Sequence, residues 1–251
     1  MELHPKMNPF VSVITPTYNR RMFIPTLIQL YESQTYNHSR MEWIVYDDGT
    51  EKVGDLFAAA SKRIPNIRYC SFDTKMSIGQ KRNLMNKAAK GEIIVAMDDD
   101  DFYPPCRVSH IVSKFAQYPR VDLAGSSEMH IFFTDTGKIH KVGPYGPNHA
   151  TNGTMAWRKR YSDTHVHDET VIYGEELSFL DSYKNPMIQL DPMKVILVFS
   201  HSDNTYDKKK LRDPANKKIC ETGLKIKSFI KDKKIREFFN GLHCDANLTN
   251  L

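Results

Sequence analysis

Four consecutive aspartates, Asp98 to Asp101, follow directly on the apolar run EIIVAM at 92–97. A carboxylate is not buried in a hydrocarbon core without partners, so the chain must leave the core where that run ends. The run is almost wholly apolar, as suits a strand covered on both faces. Three similar strand candidates precede it: VSVIT at 11–15, EWIVYDD at 42–48 and IRYCSF at 67–72. Helical spacing lies between them at 22–34, 53–64 and 77–91. In the first of these Pro25 fits only in the opening turn. In the last, Ser77 is the expected cap and Gly91 the expected stop. Strand–helix alternation of this kind predicts an α/β fold built on a parallel sheet with helices on both faces. Ligands of such sheets sit at the carboxyl ends of the strands. Three of those ends carry polar groups here: Thr15-Pro16-Thr17-Tyr18-Asn19-Arg20, Asp47-Asp48 and the aspartate run.

Beyond residue 101 the pattern loosens. A helix opened by proline is predicted over 104–118, then strands in VDLAGSS and MHIFFTDTGKIHKV with Asp135-Thr136-Gly137 as a hairpin turn. A short helix is expected over 174–183 and a last apolar strand over 195–200. Twelve of the 35 Lys and Arg residues fall between Lys208 and Arg236, leaving a near-neutral, slightly acidic body. Apolar positions from Leu224 to Phe238 give this tail the pattern of one basic amphipathic helix over 221–239. The chain of 251 residues therefore divides into one domain over 1–205, with halves at 1–101 and 102–205, and a basic helical extension over 206–251.

A net charge of +5 is too mild to imply nucleic-acid binding. No apolar stretch is long enough to span a bilayer, and the opening MELHPKMNPFVSV lacks the basic start and apolar core of a secretory signal. The four cysteines form no C-x-x-C pair. A cytoplasmic setting fits these features, and the sequons at Asn37, Asn152 and Asn247 then read as incidental.

Four adjacent carboxylates raise one another's pKa unless a cation or donors offset them. Hard oxygen ligands suit Mg2+ or Mn2+, ions that also bridge phosphates. An EF-hand would need acids at alternate positions with a central glycine, and that spacing is absent. Asp47-Asp48-Gly49 is either turn chemistry or a carboxylate aimed into the same crevice.

Taken together, VSVITPTYNR, WIVYDDG and SIGQKRNLMNKAAKGEIIVAMDDDDFYPP resemble the family 2 glycosyltransferases of the GT-A fold, in order, spacing and strand context, over about residues 10–205. The resemblance implies a GT-A type, Rossmann-like sheet, a nucleotide-sugar donor, a divalent metal and inversion at the anomeric carbon. The first half would hold the donor, with uridine the commonest base, and the second the acceptor, a glycan or a lipid-linked molecule. By the same resemblance Thr15, Pro16, Tyr18 and Arg20 line base and ribose, Asp47 reads the base beside Asp48, and Lys81, Arg82 and Asn83 border the nucleotide. Asp98 and Asp100 match the Asp-x-Asp acids, with Asp100 the first choice for metal contact, Asp98 nearer the ribose, and Asp99 and Asp101 adjoining. His201 matches a late metal ligand of some relatives.

Relatives often carry Glu-Asp at a helix start, the second acid being the general base that a hydroxyl nucleophile requires. Here the pair is Glu175-Glu176, so Glu176 is the candidate base, with Glu175 and Asp168 as rivals. Asn152, Gly153 and Trp157 match the approach to the acceptor pocket, and Tyr145 is a further aromatic candidate. His165 and His167 alternate and are read as exposed. A sugar nucleotidyltransferase is a rival, weakened because TPTYNRR lacks glycine. A non-catalytic domain that binds nucleotide sugar or glycan is another. The tail either docks on the body or touches an anionic membrane face peripherally.

Overall fold

The computed structural model describes residues 8–202, 204 and 206–245. Asp203, Thr205, the Asn247 sequon and the last residues of the extension lie outside them. The first half runs β1 (Val11–Thr17), α1 (Ile24–Glu32), β2 (Met41–Asp47), α2 (Gly54–Ala60), β3 (Ile67–Ser71), α3 (Ile78–Ala88) and β4 (Ile93–Ala96). The second continues with α4 (Arg107–Gln117), β5 (Leu123–Gly125), β6 (Met129–Phe133), β7 (Lys138–Val142), β8 (Ala156–Arg158), α5 (Lys159–Ser162) and α6 (Glu176–Phe179). It closes with β9 (Met187–Gln189), α7 (Pro192–Val195) and β10 (Leu197–Ser200). The extension adds β11 (Ile219–Glu221), α8 (Ile226–Phe229) and α9 (Lys233–Asp245).

Seven strands form one sheet in the order β3-β2-β1-β4-β8-β5-β9. β1 pairs in parallel with β2 and β4, and β2 with β3, so the first-half strands end on one side. β8 enters antiparallel between β4 and β5. Val13, Trp43, Val95 and their neighbours pack one face against α1, α2 and α4, while Ile14, Ile44 and Ile94 pack the other against Met85, Trp157 and Phe179. Burial on both faces is why these strands read as nearly continuous apolar runs. A second sheet, β10-β6-β7-β11, is joined to the turn that follows β4 by a bridge between Phe102 and Leu197.

The helix ends differ in instructive ways. Ser77 caps α3 by accepting from the Gln80 N–H at 3.1 Å. Gly91 does not stop it: the chain turns extended at Ala89. Gly91 is instead pressed against β1, where a Cβ would lie 2.4 Å from the Ser12 nitrogen. Pro25 sits in the opening turn of α1, whereas Pro104 and Pro105 precede α4, whose cap is Cys106.

The single helix expected over 221–239 is a correction. Its first residue, Glu221, ends β11, which pairs with β7; α8 follows, and Asp232 opens α9 by accepting from the Ile235 N–H at 3.0 Å. Amphipathic spacing persists across the break between α8 and α9 because both cover the same apolar cluster. Ile230, Ile235, Phe239 and Leu242 pack with Phe23, Phe102, Leu197 and Phe199, and Phe239 stacks on Phe199 at 4.1 Å. Phe239 is 1% exposed. Phe239→Ala should therefore cost about 3–5 kcal/mol in a denaturant titration. A loss below about 1 kcal/mol would show that α9 contributes little to the core.

Candidate active site

A cavity of about 880 Å3 opens where β1 and β4 end. Pro16, Tyr18 and Arg20 line it from the end of β1, Lys81 and Arg82 from α3, and Asp98 to Asp101 from the end of β4. Asn152, Gly153, Glu175 and Glu176 form the facing wall. A three-layer sheet concentrates its ligand groups this way because only the strand ends escape the flanking helices.

The aspartates do not share one role. The Asp98 N–H donates to the Tyr103 hydroxyl at 2.7 Å, and its carboxylate accepts from Arg82 Nη2 at 3.1 Å. Asp99 lies 3.9 Å from Arg20 Nε; burial and the charge of Asp100 push its carboxyl up to about 7. Burial opposes ionisation of Asp100 too, but the hydrogen bond from His201 and the charges of Lys208, His201 and Arg20 outweigh it and hold the carboxyl low. Its Oδ2 lies 3.1 Å from both His201 Nε2 and Asn204 Nδ2, and 3.8 Å from Arg20 Nη2. Asp101 accepts from the Phe199 N–H at 2.8 Å and thereby ties β10 to the end of β4; burial and Asp100 raise its carboxyl.

Several expected site residues stand behind the wall rather than on it. Thr15 Oγ1 donates to the Met97 carbonyl at 2.7 Å and accepts from Trp43 Nε1 at 3.0 Å, stitching β1 to the end of β4. Asp47 is fully buried, and its oxygens take the Gly49 and Val53 N–H groups and the Tyr69 hydroxyl. Asp48 is buried beneath Lys81, accepting from its Nζ at 2.5 Å and from the Met76 N–H at 2.7 Å. These carboxylates shape the rim. Neither reaches the cavity, which corrects the expectation that Asp47 meets the base directly. Asn83 faces away as well: it donates to the His167 carbonyl at 2.9 Å and to Glu169 Oε1 at 2.8 Å, and accepts from the His167 N–H. It anchors the segment that leads to Glu175, which also crosses α3 so closely that a Cβ on Gly79 would lie 1.9 Å from the Asp168 carbonyl.

The facing wall separates the acidic candidates. Arg82 Nε lies 2.9 Å from Glu175 Oε1, so this buried guanidinium spans Asp98 on one side and Glu175 on the other. Glu175 is thereby occupied. Glu176 lines the cavity beside it, and burial, followed by the charge of Glu175, raises its carboxyl. Asp168 accepts from the Thr170 N–H and hydroxyl and does not line the cavity. Asn152 and Gly153 do; a Cβ on Gly153 would lie 3.1 Å from Asp98 Oδ2. Trp157 is a correction: it is fully buried, packed 5.0 Å from Phe179, and offers no face to an acceptor. His165 stacks on Tyr161 at 3.9 Å. His167, read from sequence as exposed, is buried and stacks on Phe179 at 4.1 Å. Burial and the charge of Arg82 keep it neutral.

The donor set fits a divalent cation. Asp100 presents a stabilised carboxylate to the cavity with His201 against it, and burial, followed by the charge of Asp100, raises the neighbouring Asp99. Among the described residues no three His, Cys, Asp or Glu side chains converge to hold an ion. Mg2+ commonly takes one or two carboxylates and completes its shell with phosphates and water, so a two-residue protein contribution suits it. Residues that the sequence did not single out complete the wall. Tyr103 and the buried Arg107, whose guanidinium takes the Val195, Ala96 and Gly153 carbonyls, fix the turn after β4. Tyr173, Tyr206 and Lys208 also line the cavity. Arg107 carried no signal, since a helical arginine normally faces water.

The family model described as glycosyl transferase family 2 matches residues 12–171. Among curated proteins, the glycosyltransferase GlyG of Streptococcus pneumoniae is 30% identical over 96 residues, covering 38% of this chain and 31% of that protein. The chain spans about a third of the length of the curated relatives it matches. Among solved structures, Staphylococcus aureus TarS 1-349 in complex with UDP-GlcNAc superposes with a TM-score of 0.63 at 18% identity, covering 78% of this chain and 60% of that one. The mannosyltransferase PcManGT from Pyrobaculum calidifontis, in complex with GDP-Man and Mn2+, gives 0.62 at 16% identity, covering 94% and 70%.

Proposed function

Because this chain belongs to glycosyl transferase family 2, we propose that it transfers a sugar, with inversion, from a nucleotide-diphosphate donor to an acceptor hydroxyl. One observation carries the reading: a single cavity has the Asp98–Asp101 strand end on one wall and, on the other, the Glu176 carboxylate, left open because Arg82 pairs with Glu175. The donor diphosphate lies along the first wall, near Arg20 and Lys208, whose charges favour the negative charge that builds on it as it departs. Glu176 takes the proton from the acceptor hydroxyl. That oxygen attacks the anomeric carbon from the side opposite the bond to the diphosphate, which breaks in the same displacement. Asp100 and His201 are the residues that would hold Mn2+ or Mg2+; when bound, the ion supplies Lewis-acid stabilisation of the diphosphate oxygens.

The Arg82 bridge orients both walls. It fixes Asp98 against Glu175 and leaves Glu176 free to face the cavity. That arrangement supports catalysis over the non-catalytic alternative, and the family match leaves no support for a nucleotidyltransferase. UDP is the expected nucleotide, with GDP next, in line with the ligands named for TarS and PcManGT. The acceptor is a glycan or a lipid-linked molecule. Among the described residues no helix is long and apolar enough to cross a membrane, and a peripheral contact through the basic extension stays a separate proposal.

Thermal unfolding with UDP, GDP, dTDP and CMP, each with and without Mn2+, tests the donor site. A ligand at 100 times its Kd adds about 2.7 kcal/mol. One diphosphate should stabilise the protein, and only with the metal present. Failure of all four under every condition removes the donor reading.

A further inference from the structure

We infer that His167, one layer behind the cavity wall, is a positioning residue: it holds the amide of Asn152 so that the amide oxygen takes a hydroxyl of the transferred sugar. The inference rests on the glycosyltransferase reading and adds a pair of residues that select the sugar. Asn152 is 5% exposed and lines the cavity. Its Nδ2 lies 3.0 Å from His167 Nε2. An amide nitrogen only donates, so the imidazole nitrogen accepts. Burial and the charge of Arg82 keep that ring neutral, as an acceptor must be. The nitrogen of Asn152 is thus spent behind the wall. Its Oδ1 is buried and has no hydrogen-bond partner among the described residues. Buried polar atoms are nearly always paired, so this oxygen calls for a donor from the cavity.

The rest of His167 is held without Nε2. Its N–H donates to Asn83 Oδ1 at 2.8 Å, its carbonyl accepts from Asn83 Nδ2 at 2.9 Å, and its ring stacks on Phe179 at 4.1 Å. Nε2 is therefore left to do one thing, to anchor the Asn152 amide. Without that acceptor the buried amide N–H would have to turn to find another.

The place and the chemistry both point to the sugar. Arg107 donates to the Gly153 carbonyl at 2.9 Å and to the Ala96 carbonyl at 2.7 Å, so the Asn152–Gly153 turn is fastened to the end of β4. A Cβ on Gly153 would lie 3.1 Å from Asp98 Oδ2. Asn152 thus stands where the aspartate wall meets the wall of Glu176. A sugar between its diphosphate and the base occupies that seam. Diphosphate oxygens only accept hydrogen bonds and are mismatched to the Asn152 oxygen, whereas a sugar hydroxyl donates. Resemblance set Asn152 beside the acceptor; this placement gives it to the donor's sugar instead.

Calorimetry on the whole chain with Mn2+ tests this, with UDP-N-acetylglucosamine, UDP-glucose and GDP-mannose as probes beside bare UDP and GDP. His167→Phe keeps a stacking ring and loses the acceptor. His167→Gln sets an amide oxygen near the place of Nε2, and His167→Asn sets it near Nδ1, short of Asn152. A nucleotide sugar that binds the wild type should lose about tenfold in affinity in His167→Phe, His167→Asn and Asn152→Leu, and recover in His167→Gln. The double variant of His167→Phe with Asn152→Leu should lose no more than either alone. Bare nucleotides should bind all of them equally, which separates this inference from the donor site. Four results overturn it: the bare nucleotide loses as much as the nucleotide sugar; no variant changes the nucleotide sugar; His167→Gln binds no better than His167→Asn; or the wild type binds UDP or GDP but none of the nucleotide sugars.

Discussion

Asp100→Asn should leave a folded protein that no longer gains stability from nucleotide plus Mn2+, and turnover should drop by at least about 10²-fold. The variant removes one charge and keeps the shape. Asp100 is a stabilised carboxylate facing the cavity, with His201 and Asn204 both 3.1 Å from its Oδ2. Losing it takes away half of the protein's contribution to the cation and leaves His201 without this anionic partner. Metal stabilisation of a phosphoryl oxygen is worth several kcal/mol, and each 1.36 kcal/mol is tenfold in rate. The fold should survive, because Asp99 and Asp101 are pushed toward protonation by burial and then by Asp100, and are relieved of the second when its charge goes. Calorimetry of Mn2+ and nucleotide binding, beside the melting temperature, decides the matter. Unchanged metal-dependent binding would remove Asp100 from the site. Asp101→Asn is the contrasting control: Asp101 accepts from the Phe199 N–H, so its loss should appear first in stability.

The donor half was legible because its signals are local. Apolar runs, the Ser77 cap and the aspartates after β4 all follow from short-range rules, and each is where the sequence puts it. What the sequence does not carry is direction. Asp47 and Asp98 both end parallel strands, yet Gly49, Val53 and Tyr69 consume Asp47 while Asp98 meets the cavity. Thr15 and Asn83 read as ligand groups and turn out to be fasteners, because a polar side chain at a strand end serves backbone donors as readily as a substrate. Trp157 stands in β8, which enters the sheet antiparallel between two strands far away in sequence. Its burial depends on that pairing, and no periodicity in three residues announces it. The extension shows the same limit: its apolar positions are buried as expected, but the Asp232 cap divides them between α8 and α9. Arg82 and Glu175 lie 93 residues apart; only the fold reveals that one answers the other.

On the proposed reading that pair leaves Glu176 as the base, and so marks the substitution expected to have the largest effect. Glu176→Gln should lower turnover by about 10³-fold, within the range typical of a lost general base, while nucleotide stabilisation stays intact. Glutamine keeps the volume and loses the one ability that matters, accepting a proton. Glu176→Asp keeps the carboxylate, so it should recover much of the loss. Glu175→Gln should behave differently: it deprives the buried Arg82 of one of its two anions, and breaking a buried pair costs about 3–5 kcal/mol. Its activity loss should therefore come with a lower melting temperature, whereas that of Glu176→Gln should not. The pH profile adds an independent reading. The base works only when ionised, and burial followed by the charge of Glu175 raises the Glu176 carboxyl. The acid limb of kcat/KM should then lie above the ordinary glutamate range, falling tenfold per pH unit below it. In Glu176→Asp the limb should persist, and in Glu176→Gln it should vanish from the residual rate. A Glu176→Gln enzyme within tenfold of the wild type would return the role of base to another group and leave Glu176 as a wall residue.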